Sequence, residues 1–289
     1  MTFPTRQLTQ SEFPPLLQEM PAAQIPKSLW VRGKLPASDL KVLCVVGSRA
    51  CTAYGRRQTQ KIIAGLAGYP IAVVSGLALG IDGEALKSAI DAGLPAVAIL
   101  PSSVDDASIY PVANRTVAAR ILAMGGALIS ENKTPHKAYI PDFPKRDRLM
   151  AGMAHATLVT EAGEKSGTLI TARLALDYNR ELLAVPHELD RETGVGVNRL
   201  LREGATLVRT ADDVLQALDL KPSDKPEQVP LPTDLSPIEY RVMESLTTPM
   251  LRDELIALAC LSAQDAGIAL SSLLIRGLIT ERLGKIERK

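Results

Sequence analysis

From Val42 to Leu220 the chain alternates short apolar runs with amphipathic segments of helical period. The runs are Val42–Val46, Ile71–Val74, Ala96–Leu100, Ala127–Ser130, Thr157–Thr160, Glu181–Val185 and Thr206–Val208. Their shortness and nearly unbroken apolar character predict strands covered on both faces. Between them, helical patterns run over about Ala53–Leu66, Gly83–Ala92, Thr116–Met124, Arg146–Ala154, Thr168–Asn179 and Val197–Glu203. Strand and helix alternating at this spacing predict right-handed crossovers and a doubly wound, mainly parallel α/β sheet. Ligands of such a sheet sit beyond the carboxyl ends of its strands.

The flanks differ. Residues 1–27 carry Pro14, Pro15, Pro21 and Pro26, which break long elements, and are expected to form an arm or one short helix. The α/β domain is expected over residues 28–220, with Trp30 packing at its edge. Residues 221–234 are polar and proline-rich, the composition of an extended linker. Within residues 235–289, Ser236-Pro237-Ile238-Glu239 is a helix start, and helical patterns follow over Pro237–Leu246, Arg252–Ala259 and Ser262–Arg276. A hairpin turning at Gly284 completes the pattern of a small winged helix.

Composition narrows the chemistry. At 289 residues and 46% apolar content the chain can build a substantial core. Its net charge of +1 leaves the choice of partner to the distribution of Arg and Lys. Only 3% of residues are aromatic, so any base-stacking surface rests on few side chains. Three separated cysteines fit neither a disulfide framework nor a zinc site. With no leader pattern at Met1–Arg6 and no run of membrane-spanning length, a cytoplasmic protein is expected, without a membrane partner.

The first run ends in Gly47-Ser48-Arg49. Gly47 allows a sharp turn that brings N–H groups to an anion, Ser48 adds a donor, and the planar fork of Arg49 matches two phosphate oxygens. The helix that follows adds the positive end of its dipole. A tight strand-to-helix turn with a surface arginine gives the same triplet. The second junction carries Ser75, Gly76, Gly80 and Gly83 without G-x-G-x-x-G spacing, and no acid ends the second strand to hold a ribose, so NAD is not expected. Asp82 is expected to cap the Gly83 helix.

The fourth junction carries Phe143-Pro144-Lys145-Arg146-Asp147-Arg148, preceded by Lys133, His136 and Lys137. A cationic groove around an aromatic platform suits single-stranded nucleic acid, whose bases offer π-faces and whose phosphates offer charge. The plainer reading is a solvated basic helix start, which the helix dipole disfavours unless an anion is bound. At the fifth junction, Ser166, Gly167 and Thr168 can hold a phosphate or cap a helix. His136, His155 and His187 lack cysteine or paired acidic partners at ligand spacing, and neither a Walker A motif nor a G-x-S-x-G elbow occurs. No metal, cofactor or catalytic residue is expected.

These motifs occur together and in order: Gly47-Ser48-Arg49, Ser75-Gly76-Leu77-Ala78 with Gly80-Ile81-Asp82, Tyr110-Pro111 with Asn114, Ser130-Glu131, Phe143-Pro144-Lys145-Arg146, Ala151-Gly152, Glu161-Ala162 with Ser166-Gly167-Thr168, and Ala184-Val185-Pro186. From about Leu29 to Leu220 the chain resembles the DprA/Smf family of DNA-processing proteins. The resemblance implies an extended Rossmann-like domain that binds single-stranded DNA, self-associates as a homodimer, and loads the RecA recombinase onto incoming strands during natural transformation. It implies that Arg49 grips phosphate, while Phe143, Lys145 and Arg146 line the groove, to which the charge pattern of the basic segment adds Lys137 and Arg148. The terminal winged helix resembles the small domain of many members. Leu86, Asp147 and His187 depart from the family pattern, where histidine, asparagine and glycine are usual. Asp147 either weakens the groove or pairs with a neighbouring arginine. The competing reading is an enzyme or sensor of a small nucleotide derivative in the same crevice. A third makes the winged helix a reader of duplex DNA, although its helix Ser262–Arg276 carries only Arg276 as a base.

Overall fold

The structure, a computed structural model, describes residues 3–221, 235–246, 250–259, 261–282 and 285–288. It falls into two compact units divided near residue 226. In chain order the first holds β1 (Thr5–Leu8), α1 (Pro15–Gln18), β2 (Leu29–Gly33), β3 (Lys41–Val46), α2 (Ala53–Gly65), β4 (Ile71–Ser75), α3 (Ile81–Asp91) and β5 (Ala96–Ile99). There follow α4 (Arg115–Ala123), β6 (Ala127–Ser130), α5 (Asp142–Met153), β7 (Ala156–Val159), α6 (Thr168–Asp177), β8 (Glu181–Ala184), α7 (Val195–Arg202), β9 (Thr206–Leu207) and α8 (Ala211–Ala217).

One sheet runs β1-β2-β6-β5-β4-β3-β7-β8-β9, parallel from β6 to β9 and antiparallel at β1 and β2. Both faces of its strands are apolar, and alternate residues serve opposite layers. Leu43, Val45, Ile71 and Val73 meet Ile62, Leu66, Leu86 and Ile121 on one side. Cys44, Val46, Val74 and Val97 meet Leu17, Leu149, Met153 and Ala172 on the other. Helices cover both faces for that reason. From β3 the chain winds outward to β6, then returns to the opposite side of β3 as β7. The crossovers diverge there, which opens a crevice past the carboxyl ends of β3 and β7.

The first 27 residues are not an arm. β1 pairs with β2 from Thr5 opposite Arg32 to Leu8 opposite Leu29. Leu8, Phe13, Leu17 and Met20 are buried in the second core layer. Trp30 packs partly buried against the first layer, with the Lys133 ammonium 5.9 Å from its ring centre. Leu86 is core.

The second unit holds α9 (Pro237–Ser245), β10 (Met250–Leu251), α10 (Arg252–Leu258), α11 (Ala263–Ile275), β11 (Ile279–Arg282) and β12 (Lys285–Arg288). The Ser236 hydroxyl accepts from the Glu239 N–H, and the Glu239 carboxylate accepts from the Ser236 N–H, closing a capping box. The three strands form an antiparallel sheet in the order β10-β12-β11, packed with the helices around Val242, Leu255, Leu270, Leu273 and Ile286. Beyond Lys221 the expected linker, and the expected turn at Gly284, lie outside the described residues.

Candidate functional site

The loop from β3 to α2 crosses the crevice and is clamped on both sides. The Ser48 N–H donates to the Glu161 carbonyl at 2.8 Å, and the Ile81 N–H donates to the Ser48 carbonyl at 3.2 Å. Gly80 makes that second contact possible. Its φ is +75°, and a Cβ there would lie 2.2 Å from the Ser48 carbonyl oxygen. At the start of α2 the Thr52 hydroxyl caps Gly55 N–H at 3.1 Å. The buried Glu161 carboxylate in turn accepts from the Thr52 N–H at 3.1 Å and its hydroxyl at 2.5 Å. Arg49 stands exposed on a loop whose supports are buried.

The basic segment Phe143–Arg148, expected at a loop, forms the first turns of α5. The Asp142 carboxylate fixes its entry by accepting from the Tyr139 N–H at 3.0 Å and pairing with His136 Nε2 at 2.9 Å. Burial pushes that carboxyl up, but these bonds outweigh it and hold it below its ordinary value. α5 then delivers the Phe143 ring to the Arg49 guanidinium, whose carbon lies 4.8 Å from the ring centre. The Tyr110 ring meets Phe143 edge-on at 6.2 Å. Arg49 and Phe143, together with Ser48, Asp147, Ser166, Gly167 and Thr168, line a cleft of about 430 Å³.

Arg146 forms the floor of that cleft and is only 5% exposed. One of its terminal nitrogens donates to the Ile99 carbonyl at 3.2 Å and lies 3.9 Å from Asp82. Its Nε faces Asp147 Oδ1 at 3.0 Å without hydrogen-bond geometry, so the contact is ionic. Gly76 leaves room for the guanidinium, because a Cβ there would lie 1.4 Å from it. Asp82 does not cap its helix: its carboxylate accepts from the Gly76 N–H at 3.2 Å. Two carboxyls thus share one buried guanidinium. Burial pushes Asp82 up to about 6 against the pull of Arg146, and it also raises Asp147 against Arg146 and Arg49. Arg146 reaches the cleft with its charge already offset.

Other expected residues lie elsewhere. Ser75 is buried and donates to the Val45 carbonyl at 2.6 Å. Lys145 is exposed beside Asp142, at 3.9 Å, and Lys137 is exposed on the strap before α5. Arg148 binds Glu131 at 2.5 Å and the Gln24 carbonyl at 2.6 Å, tying α5 to the N-terminal segment. Each histidine has a local partner: His155 Nδ1 accepts from the Val42 N–H at 2.9 Å, and His187 Nε2 donates to the Thr160 carbonyl at 2.9 Å. No group of three His, Cys, Asp or Glu able to hold a metal occurs among the described residues. Nor is any single helix among them long and apolar enough to cross a membrane.

Two supporting residues escaped the sequence reading. Glu161 braces the Arg49 loop from β7, and Asn114 donates to the Leu77 and Ala78 carbonyls, both at 2.9 Å, pinning the glycine-rich β4–α3 loop. Both stand among the quoted motifs, but their partners lie across other loops, so spacing alone does not expose their task.

Comparison with known proteins places this geometry. Residues 5–219 match the family model described as DNA recombination-mediator protein A. The chain is 38% identical over 211 residues to Protein Smf of Escherichia coli, covering 72% of this chain and 55% of that protein, so it spans about half the length of that relative. Its structure is similar to that of DNA processing protein A from Streptococcus pneumoniae, with a TM-score of 0.68 and 31% identity over 75% of this chain and 74% of that one. It is also similar to a structure of Helicobacter pylori DNA processing protein A that concerns that protein's single-stranded DNA binding mode. There the TM-score is 0.65 and the identity 26%, over 76% of this chain and 98% of the other.

Proposed function

The chain belongs to the DNA recombination-mediator protein A family, and on that premise we propose that it binds single-stranded DNA without regard to sequence and acts as a recombination mediator. In this reading it protects incoming strands and loads the RecA recombinase during natural transformation, as a cytoplasmic homodimer with neither cofactor nor catalytic residue. The observation that carries the proposal is the Arg49 guanidinium held over the Phe143 ring at the mouth of the cleft. A cation and a ring side by side match a nucleotide's phosphate and base. Ser48, Ser166 and Thr168 supply further donors to phosphate, Gly167 keeps the backbone open to it, and Gly47 lets the turn pack against Ile81 at the cleft wall. Phe143 supplies the stack. Arg146 supports the floor rather than gripping phosphate, since Asp82 and Asp147 already neutralise it. We read the second unit as a winged helix that contacts a protein partner.

The test is a gel-shift series with oligothymidine and mixed-sequence single strands at two salt concentrations. Arg49→Glu is expected to weaken binding to every sequence alike, and the wild type is expected to lose affinity steeply as salt rises. Normal binding by Arg49→Glu would remove the proposal. A cleft of about 430 Å³ also has room for one free nucleotide, the competing reading. Calorimetry with a nucleotide panel against oligothymidine separates the two.

A further inference from the structure

On the single-strand reading, Arg49 takes a phosphate and Phe143 one base. The loops around them expose apolar side chains that core packing does not require there. Leu79 is 48% exposed, Tyr110 48%, Tyr139 62% and Ile140 86%. They come from three separate connections: β4–α3, β5–α4 and the strap before α5. Scattered exposed apolar residues are ordinary, but a cluster bordering a cleft marks a contact surface.

Two of them have a defined relation to the site. Tyr110 and Leu79 border a narrow hollow with Pro101 and Pro111, and Arg49 and Phe143 line this hollow as well as the main cleft. Arg49 and Phe143 therefore form a wall common to both. The hollow holds only about 30 Å³, too little to enclose a base, so it serves as a shelf across which a flat group lies. The Tyr110 ring stands at 78° to the Phe143 ring. With the Arg49 guanidinium already over Phe143, Tyr110 is the adjoining ring open to a second flat group.

Charge selects the occupant. Arg49, which lines the hollow, has no ion-pair partner among the described residues, whereas the acids of the β5–α4 loop are engaged. Asp105 bonds Ser103 and Ser108, and Asp106 pairs with Arg32 at 2.6 Å. An apolar shelf bordered by the unpaired Arg49 guanidinium fits unstacked bases on an anionic strand. We infer that Tyr110 is a second base platform, so that the site takes an unstacked run of at least two nucleotides, one base beside Phe143 and its neighbour on the Tyr110 shelf. This rests on the single-strand reading of the same cleft and specifies its ligand as a strand rather than a mononucleotide.

The test compares the full chain with its Tyr110→Ala, Tyr110→Phe and Arg49→Glu variants. Fluorescence anisotropy is read with oligothymidine of about 12 nucleotides, within the usual single-strand site size, and with an abasic strand of the same length. Tyr110→Ala is expected to weaken the thymidine strand about fivefold or more and to leave the abasic strand unchanged. Tyr110→Phe is expected to match wild type, because the ring and not its hydroxyl makes the contact. Arg49→Glu is expected to weaken both strands. Wild-type binding by Tyr110→Ala alongside loss by Arg49→Glu overturns the shelf and leaves the cleft reading intact; normal binding by Arg49→Glu overturns the cleft reading itself. If Tyr110→Ala instead lowers self-association and leaves both strands bound as before, the surface is a protein contact and the shelf is overturned.

Discussion

The Arg49 guanidinium carbon and the centre of the Phe143 ring are 4.8 Å apart, although one residue follows β3 and the other opens α5. The fold brings them together in the crevice past the carboxyl end of β3. A ring in this position offers its π-face to any base, so Phe143→Ala is expected to weaken oligothymidine binding by about tenfold or more. Phe143→Trp keeps a larger face and is expected to bind at least as well as wild type. Anisotropy titrations of the two variants check both outcomes, and equal binding by Phe143→Ala would deny the ring its role.

Gly80 sets the height of the Arg49 loop. At φ +75° and with the Ser48 carbonyl 2.2 Å from a Cβ position, alanine must displace backbone rather than a side-chain tip. Gly80→Ala is expected to destabilise the chain by about 2–4 kcal/mol and to reduce strand binding along with it. Chemical denaturation and anisotropy measure the two effects. A variant as stable as wild type would show that the loop relaxes freely.

The carboxyl of Asp82 is buried and pushed up to about 6 by that burial, above the range of an unfolded chain. A carboxyl raised in the folded state favours folding while protonated, and that contribution disappears as pH climbs from about 4 through about 6. Between those limits the wild type is expected to lose about 3 kcal/mol relative to Asp82→Asn. Denaturant midpoints of both chains at pH 5 and pH 7.5 test the sign. A gap that stays constant with pH would mean that Arg146 keeps Asp82 ionised throughout.

Leu17 is fully buried beneath α5, on a segment whose prolines predict an arm. Arg180 fastens the same segment by binding Glu19 at 2.9 Å and the Leu16 carbonyl at 2.7 Å. Leu17→Ala is expected to cost about 2–5 kcal/mol, the range for a buried leucine truncated in a packed core. A thermal melt that does not move would return residues 1–27 to the status of an arm.

Legibility in the sequence followed periodicity. The strands β3 to β9 and the helices between them stand within a residue or two of their runs, except that α5 begins four residues before the expected Arg146, because strands covered on both faces leave long uniform signals. The N-terminal segment was not legible, since Leu8, Phe13, Leu17 and Met20 share no helical or strand period and are buried through short irregular pieces. The Phe143–Arg148 cluster was visible as charge, yet the separate fates of its cations were not. Arg146 is drawn inward by Asp82 and Asp147, and Arg148 by Glu131 and the Gln24 carbonyl. The adjacent Asp147 was one of the expected partners, but Asp82, Glu131 and the Gln24 carbonyl are brought in by tertiary proximity, which no spacing along the chain encodes.

That division of labour has a consequence for salt dependence. Each phosphate neutralised by a free cation releases condensed counterions, and the logarithm of affinity falls with the logarithm of salt by about 0.7 per contact on a single strand. Arg49 has no carboxylate within ion-pair distance among the described residues, so its loss removes one such contact. Arg148 is held by Glu131 at 2.5 Å and is absent from the cleft lining, so its loss removes none. Arg49→Ala is therefore expected to flatten the slope by about 0.7, whereas Arg148→Ala leaves the slope unchanged and lowers the denaturation midpoint through the lost tie to Glu131 and Gln24. Titrations at four salt concentrations give the slopes. Equal flattening by both substitutions would mean that Arg148 leaves Glu131 to meet the strand, and no flattening by Arg49→Ala would mean that the exposed guanidinium touches no phosphate.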